Sequence, residues 1–257
     1  MTHMSLFSGI GGIDLAAEWA GFESICMVEK DEFCQRVLRK NFPDVPIFGD
    51  IKEFDGTPYC EQVTLLSAGW PCQPFSQSGQ KKASDDERNL WPDTVRVLEQ
   101  VKPAWFLGEN VSGLFAAESG FFFRRLLDDL AALGYSVGWA NYGAYHIGAT
   151  HKRKRLFILA HAAREPRLQT GEAFGPERKS KSPREDASRR HWQPIRGGDW
   201  KQWEVSPTVV SEPRVRRNVN GVSDRVDRIT SLGNAVVPQQ VYPLLMAIRN
   251  AIENDSK

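Results

Sequence analysis

The chain has 257 residues, of which 41% are hydrophobic and 25% are charged, a composition typical of globular proteins and outside the disordered and fibrous classes. This length predicts one large domain plus a small one, with a core that needs no disulfide or metal to fold. No signal-peptide pattern and no apolar run near 18 residues is found, so we expect a cytoplasmic protein that does not bind a membrane.

The charge is distributed unevenly along the chain. Residues 1–150 hold 12 Lys/Arg and 20 Asp/Glu, a net charge of −8, whereas residues 151–217 hold 17 and 8, a net charge of +9. A basic segment after an acidic body is typical of a face that binds a polyanion. A solvated surface segment explains the charges equally well when they are considered alone.

The predicted elements alternate between short apolar strands and helices up to about residue 160. The first strand, Met4–Phe7, leads into a helix over Asp14–Ala20 that ends at Gly21. The later strands are Ile25–Glu29, Val63–Ala68, Trp105–Glu109, Tyr135–Ala140 and Leu156–Ala160, and the helices between them are Asp31–Asn41, Asp93–Lys102 and Phe121–Leu133. This alternation predicts an α/β fold with a largely parallel sheet covered on both faces.

The pattern changes at about His161. Residues 162–200 have few aliphatic side chains and many Arg, Lys, Pro, Gly and Ser, which predicts a small irregular region. A last helix over Gln239–Ile252 begins next to Pro238, and we expect it to pack on the first domain. The predicted organisation is a main domain of residues 1–161, completed by residues 225–257, and a small second region of residues 162–224.

A glycine-rich turn with the sequence FSGIGG, residues 7–12, separates the first predicted strand from the first helix. Glycine lets the backbone approach a ligand closely, and the helix N-terminus offers free N–H groups. The dinucleotide fingerprint would have a third glycine where this chain has Asp14. A pyrophosphate ligand is therefore disfavoured, and with it a nicotinamide-dependent dehydrogenase.

Three acidic residues occupy positions that suit a nucleoside ligand. Asp14 could lie near a cationic centre, Glu29 could accept hydrogen bonds from ribose hydroxyls, and Asp50 could accept one from an adenine amino group. Each of them alone is more often a strand-end or helix-cap residue. Together they fit a nucleoside with a positively charged tail, and S-adenosylmethionine is such a molecule.

Chemically reactive residues stand at three further strand ends. Cys72 follows the strand Val63–Ala68, at the edge where open α/β sheets bind ligands, and a thiolate is a strong nucleophile. Glu109 ends the next strand. Arg153 and Arg155 lead into the last strand, in which residues two apart face the same side. The other cysteines are expected to be free and mostly buried thiols, and no Cys/His cluster has the spacing of a metal site.

With these motifs in order, the sequence resembles the DNA cytosine-5 methyltransferase family. The matching segments, in family order and spacing, are SLFSGIGG, VEKDEF, GDI, GWPCQPFSQSG, GENVSGL, HKRKRLF and LGNAVVP. The resemblance implies a Rossmann-like methyltransferase sheet with helices on both faces, which uses S-adenosylmethionine, plus a small irregular target-recognition domain. It also implies methyl transfer to C5 of a flipped-out cytosine in duplex DNA, with S-adenosylhomocysteine as the product.

The resemblance assigns catalytic roles to four residues. Cys72 is similar to the nucleophile that attacks C6 of cytosine, and Glu109 to the acid that contacts N3 and the 4-amino group. Arg155 resembles the residue that holds O2, and Arg153 one that supports Cys72 or the nearby backbone.

The resemblance also predicts the binding residues, with Phe7 stacked on adenine, Glu29 at the ribose and Asp50 at the adenine amine. The complete predicted cofactor set is Phe7, Ser8, Gly9, Ile10, Gly11, Gly12, Asp14, Glu29, Asp50, Ile51, Pro71, Asn234 and Ala235. The predicted DNA contacts are Gln73, Ser76, Ser78, Lys81, Lys82, Arg214, Arg216 and Arg217. Of these, Ser76 and Ser78 lie in the segment that resembles the family's mobile loop.

The sequence leaves alternatives open. His151 stands where family members often have glutamine, and we assign it no role. A tRNA cytosine-5 methyltransferase would share every catalytic motif, although the variable insert before LGNAVVP favours DNA. A catalytically inactive DNA-binding regulator is disfavoured by the presence of Cys72, Glu109 and Arg155. We expect a monomer that acts on double-stranded DNA without a metal, with a cognate restriction endonuclease as a further partner.

Overall fold

The structure of the protein is a computed structural model that describes residues 1–71, 89–162 and 235–255. These residues form one α/β unit built on a seven-stranded sheet. The strands are β1 (Thr2–Leu6), β2 (Glu23–Val28), β3 (Ile47–Phe48), β4 (Leu65–Ala68), β5 (Trp105–Val111), β6 (Tyr135–Gly143) and β7 (Lys154–Ala162).

The sheet has the strand order β3-β2-β1-β4-β5-β7-β6. All pairs from β3 to β5 are parallel, whereas β7 is antiparallel to both of its neighbours. The chain order reverses between β1 and β4, which is the kind of position where open α/β sheets bind ligands. We call the side of the sheet where β1, β2, β4 and β5 end the carboxyl edge.

Five α-helices of the described residues accompany the sheet. They are α1 (Gly12–Trp19), α2 (Glu32–Asn41), α3 (Trp91–Val101), α4 (Phe121–Ala132) and α5 (Pro238–Asp255). Short 3-10 helices cover Thr57–Tyr59, Ser112–Gly120 and Ala144–Ile147. In the described residues, no helix has the length and apolarity needed to cross a membrane.

Both faces of the sheet are buried. Because neighbouring residues of a strand point in opposite directions, successive side chains enter the cores on opposite faces. On β5, Phe106 joins a core that contains residues of α3 and α4, whereas Leu107 joins a second core with α1 and α5. Ile158 and Phe157 of β7 divide between the two cores in the same way. Near-continuous apolar strands of this kind are what a sheet covered on both faces requires.

The predicted α/β fold and its covered sheet are confirmed, with element boundaries that differ by a few residues. The expected packing of the last helix is also confirmed: α5 lies against α1, and the guanidinium of Arg249 donates a hydrogen bond of 3.2 Å to the carbonyl of Ala20. The antiparallel direction of β7 was not predicted, since an apolar run carries no information on direction. The proposed second region, residues 162–224, lies outside the described residues except for Ala162.

Candidate active site

The predicted site segments at the ends of β1, β2, β4 and β5 meet at the carboxyl edge. The glycine-rich turn follows β1, Glu29 follows β2, Gly69 follows β4 and Glu109 lies near the end of β5. Because β2, β1, β4 and β5 are consecutive neighbours in the sheet, these four positions lie side by side. Parallel strands end at the same edge, which is the reason for this grouping.

The glycine-rich turn has a backbone that glycine favours. Phe7 and Gly9 both have φ of 56°, and Gly11 has φ of 85°, in the left-handed region that most side chains avoid. A side-chain carbon at Gly11 would lie 2.6 Å from the ring of Phe42, whereas no atom of the described residues lies within 4 Å of that position at Gly9. The turn is therefore tight below Gly11 and open above Gly9, where a ligand can approach the backbone.

Glu29 fixes the open part of the turn. Its Oε2 accepts a hydrogen bond of 2.7 Å from the backbone N–H of Gly9, and its Oε1 accepts one of 2.8 Å from that of Asp31. Burial raises the pKa of Glu29, and these backbone donors partly oppose the rise. A carboxylate oxygen has two lone pairs, so both oxygens can still accept from hydroxyl groups.

Asp50 is paired with a lysine across the site. The Nζ of Lys30 lies 2.6 Å from Oδ2 of Asp50, and the backbone N–H of Lys52 donates to Oδ1 at 3.1 Å. The hydrogen bond from Lys30 lowers the pKa of Asp50. The predicted acceptor of the adenine amine is thus ionised and already has two donors. The side chain of Ile51, next to it, is buried in the core.

Asp14 lies beneath the turn and not on its surface. The residue is fully buried, and its Oδ2 accepts a hydrogen bond of 3.3 Å from the hydroxyl of Ser5 on β1. Burial raises its pKa to about 7. The carboxyl group of Asp14 therefore faces Ser5 and the core, and the place of a cationic centre near it stays a prediction. The sequence motif gave no information on which face of α1 carries this side chain.

Glu109 is the buried acid of the site. Its residue is 7% exposed, and its Oε1 lies 2.9 Å from the Nε of Arg155. Arg155 is opposite Val111 in the β5–β7 ladder, so it is diagonal to Glu109 on the same face. The two groups form a close ion pair, and among the described residues no donor makes a hydrogen bond of good geometry to Oε1.

The pKa of Glu109 is raised. Burial is the main cause, and the positive charges of Arg155 and Arg153 act in the opposite direction. A carboxyl group in such a position can hold a proton at higher pH than an exposed one and can donate it to a bound base.

Arg153 lies directly before the last strand, in the segment that leads into it, and its backbone is not extended. It precedes β7 and has φ of 21°, so the argument that Arg153 and Arg155 share a strand face was wrong. Its guanidinium donates a hydrogen bond to the carbonyl of Ala235, and its charge still acts on Glu109. Arg155 therefore contacts the carboxyl group directly, whereas Arg153 acts on it through its charge.

The segment that leads to Cys72 is held beside Glu109. The side-chain amide of Asn110 donates a hydrogen bond of 3.1 Å to the carbonyl of Trp70, and the Trp70 ring packs on Gly108 and on the ring of Trp91. A side-chain carbon at Gly69 would lie 3.5 Å from Oε2 of Glu109. The sequence analysis did not assign these roles to Asn110 and Trp70, although both lie within the recognised segments.

Several predicted residues fall outside the described residues, and the structure does not bear on them. They are Cys72, Gln73, Ser76, Ser78, Lys81, Lys82, Arg214, Arg216, Arg217 and Asn234. Pro71, the last described residue before Cys72, is exposed. Of the other cysteines, Cys26 and Cys34 are buried, as expected, and Cys60 is half-buried; within the described part of the chain none of them forms a disulfide. In the described part of the chain, no three His, Cys, Asp or Glu side chains form a group that could hold a metal.

Known proteins are similar to this chain in sequence. The Type II methyltransferase M.BsuFI of Bacillus subtilis is 36% identical over 160 residues, which are 62% of this chain and 39% of that protein. The Type II methyltransferase M.NgoMIV of Neisseria gonorrhoeae is 29% identical over 218 residues, 82% of this chain and 68% of that protein. The chain thus matches well under half of the Bacillus relative.

Two solved structures have a fold similar to that of this chain. A DNA modification methyltransferase encoded within a prophage of E. coli superposes with a TM-score of 0.53 at 25% identity, over 63% of this chain and 47% of that one. Spodoptera frugiperda DNMT2 has the same fold, with a TM-score of 0.53 at 23% identity over 62% of this chain and 49% of its own.

The family model of the C-5 cytosine-specific DNA methylases matches residues 1–211, most of the chain. That match includes the glycine-rich turn, Glu29, Glu109 and both arginines, whose geometry is described above. The chain belongs to the C-5 cytosine-specific DNA methylase family.

Proposed function

We propose that this protein transfers a methyl group from S-adenosylmethionine to C5 of a cytosine in duplex DNA, with Cys72 as a covalent nucleophile. The observation that carries the proposal is the buried Glu109, in contact with Arg155 and next to Gly69, three residues before Cys72. An acid, a fixed cation and the segment of the nucleophile thus share one part of the carboxyl edge.

The turn after β1 fits the proposed cofactor. Open space above Gly9 allows a ligand to approach the backbone, and the carboxylate of Glu29 is oriented by two backbone donors with lone pairs to spare. In this arrangement Phe7 and Glu29 would bind the nucleoside, and Asp50 would accept a hydrogen bond from its adenine amino group. When bound, S-adenosylmethionine supplies an electrophilic methyl group on a sulfonium.

The protein's own residues would make carbon 5 of cytosine reactive. The thiolate of Cys72 forms a bond to C6, and Glu109 donates a proton to N3, so that the C5–C6 double bond opens and C5 becomes nucleophilic. After C5 has taken the methyl group, a base removes the C5 proton, the sulfur–C6 bond breaks to release the thiolate and restore the double bond, and N3 returns its proton to Glu109. The positive charges of Arg155 and Arg153 would favour the anionic forms of nearby groups, including the thiolate of Cys72. The target cytosine must flip out of the base stack of the duplex to reach this site.

The test is covalent capture on duplex DNA that carries 5-fluorocytosine. Fluorine replaces the proton that must leave, so the enzyme and DNA should stay joined on a denaturing gel when S-adenosylmethionine is present. Cys72→Ser should give no joined band, because a serine hydroxyl is almost wholly protonated near neutral pH. Cys60→Ser, at a half-buried free thiol, is the matched control and should behave as the native protein.

Two results would reject the proposal. One is a joined band in Cys72→Ser, which would make another residue the nucleophile. The other is methyl transfer to tRNA but not to duplex DNA in a parallel assay with labelled cofactor.

We also propose a restriction endonuclease as the partner of this protein in the cell. The relatives found here are named as Type II methyltransferases, which favours a protein that acts with a restriction endonuclease on the same DNA site. Bisulfite sequencing of DNA from cells that express the protein would give the methylated sequence.

A further inference from the structure

We propose that Gln240 is a positioning residue that holds the active-site arginines in place through a bridge from α5 to the β6–β7 connection. The inference rests on the proposed function, since it concerns the groups that would act on cytosine. Gln240 lies in the first turn of α5, far along the chain from the acid and the arginines, and is fully buried.

The side-chain amide of Gln240 joins the two ends of the β6–β7 connection. Its Nε2 donates to the carbonyl of Tyr142 at 2.9 Å and to the carbonyl of Arg153 at 3.3 Å. Two acceptors around one atom fix the orientation of the amide, because the opposite orientation would place its oxygen against two carbonyl oxygens. The hydroxyl of Tyr142 donates back to the backbone carbonyl of Gln240.

Arg153 is therefore held at two points by the segment of residues 235–240. Its backbone carbonyl accepts from Gln240, and its guanidinium donates to the carbonyl of Ala235. This matters because the φ of Arg153 is 21°, a conformation that non-glycine residues adopt only when their surroundings impose it. Arg155, two residues later, contacts Glu109.

The bridge also connects the two sides of the site. Ala235 belongs to the predicted cofactor set, and a side-chain carbon at Gly12, at the start of α1, would lie 2.6 Å from the carbonyl of Val236. One short segment thus contacts both the start of α1, next to the glycine-rich turn, and Arg153. We infer that Gln240 aligns Arg153 and Arg155 with Glu109, and that its loss slows attack on C6 more than it weakens binding.

The test compares Gln240→Met with Gln239→Met. Methionine keeps the length and volume of glutamine but has no donor, and Gln239 is the exposed neighbour on the same helix turn. We expect the rate of joining to 5-fluorocytosine DNA to fall at least tenfold in Gln240→Met, since small misplacements of reacting groups have large effects on rate. The affinity for unmodified duplex should change less than twofold, and Gln239→Met should match the native protein in both.

The outcomes separate the two proposals. If the native protein and Gln239→Met join the DNA and a folded Gln240→Met does so at the same rate, the positioning role is overturned. An equal loss of rate in Gln239→Met would also overturn it. If the native protein forms no joined complex, the proposed function itself fails.

A second variant keeps the inference testable if Gln240→Met does not fold. Tyr142→Phe removes only the hydroxyl that holds the carbonyl of Gln240. A threefold or larger loss of the joining rate with unchanged DNA affinity supports the bridge, and the native rate overturns it.

Discussion

A buried carboxyl group under the glycine-rich turn makes the stability of the fold depend on pH. The pKa of Asp14 is raised to about 7 in the folded protein, compared with about 3.9 in an unfolded chain. Its contribution to stability is fully present below pH 4 and is lost as pH rises towards 7. Asp14→Asn removes this loss and keeps an acceptor for Ser5. We expect the mutant to gain stability relative to the native protein between pH 4 and 7, by an amount on the order of a few kcal/mol.

Urea unfolding at several pH values measures the gain. The difference between mutant and native protein is the quantity to follow, because His3 acts in the opposite direction: burial lowers its pKa to about 3, so its contribution is lost as pH falls from about 6.5. Asp128→Asn, at an exposed carboxylate of α4, should change stability by about 0.5 kcal/mol or less. A difference between Asp14→Asn and native protein that does not vary with pH would contradict the assignment.

Glu29→Gln should weaken binding of S-adenosylmethionine. The mutation replaces a charged acceptor of two backbone hydrogen bonds with a neutral amide that also carries donors. Hydrogen bonds to charged groups contribute roughly 1.5–3 kcal/mol, which corresponds to a loss of affinity of about tenfold or more. Calorimetric titration is the measurement. Glu23→Gln, at the exposed start of the same strand, serves as the control, and equal affinities in both variants would place the cofactor elsewhere.

The close contact between α1 and the segment before α5 predicts a strong effect of a single methyl group. Gly12→Ala would place a side-chain carbon 2.6 Å from the backbone carbonyl of Val236, and a backbone atom cannot move away as a side chain can. We expect a loss of about 1–3 kcal/mol of stability, the usual effect of overpacking, together with weaker cofactor binding. Urea unfolding and cofactor titration test the two effects.

Gly138→Ala provides the comparison for this substitution. Gly138 lies on β6 with nothing within 4 Å of the added carbon and without a positive φ, so its stability should change by about 0.5 kcal/mol or less. Similar stability losses in the two mutants would show that the contact at Val236 is not tight.

The elements near the N-terminus could be predicted well because their signals are local. Apolar runs, helix caps and glycine turns indicate β1, β2, β4 and β5, and a parallel sheet then brings the ends of these strands to one edge. The two-residue strand β3 was not predicted. The positive φ of Arg153 could not be predicted, because a basic run reads the same in a strand and in a turn. Gln240 could not be found either, since its partners Tyr142 and Arg153 lie 98 and 87 residues away.

The uneven charge of the chain predicts a DNA affinity that depends steeply on salt. Each phosphate neutralised by a lysine or arginine contributes about −0.9 to the slope of log affinity against log salt. Glutamate substitutions at Arg214, Arg216 and Arg217, in the basic segment, should make this slope shallower. Filter binding or fluorescence anisotropy at several salt concentrations gives the slope.

The control reverses three positive charges at the other end of the sheet. Arg39 and Lys40 lie in the last turn of α2 and Lys102 follows α3, on the side away from the carboxyl edge. These reversals change the net charge by the same amount but should leave the slope close to the native value. An equal change in both triple mutants would mean that net charge and not a defined face determines the salt dependence.

The contact between α1 and α5 has a consequence for the time course of synthesis. The apolar face of α1 packs against α5, and Ala20 accepts a hydrogen bond from Arg249, 229 residues later. At roughly 5–20 residues per second, a ribosome needs about 10–50 s to cover that interval. During this time the nascent chain carries an uncovered apolar surface on α1 and the sheet beneath it, which makes it a client for chaperones. A newly induced cell should therefore show a delay of this order, set by translation, before any of its DNA is methylated.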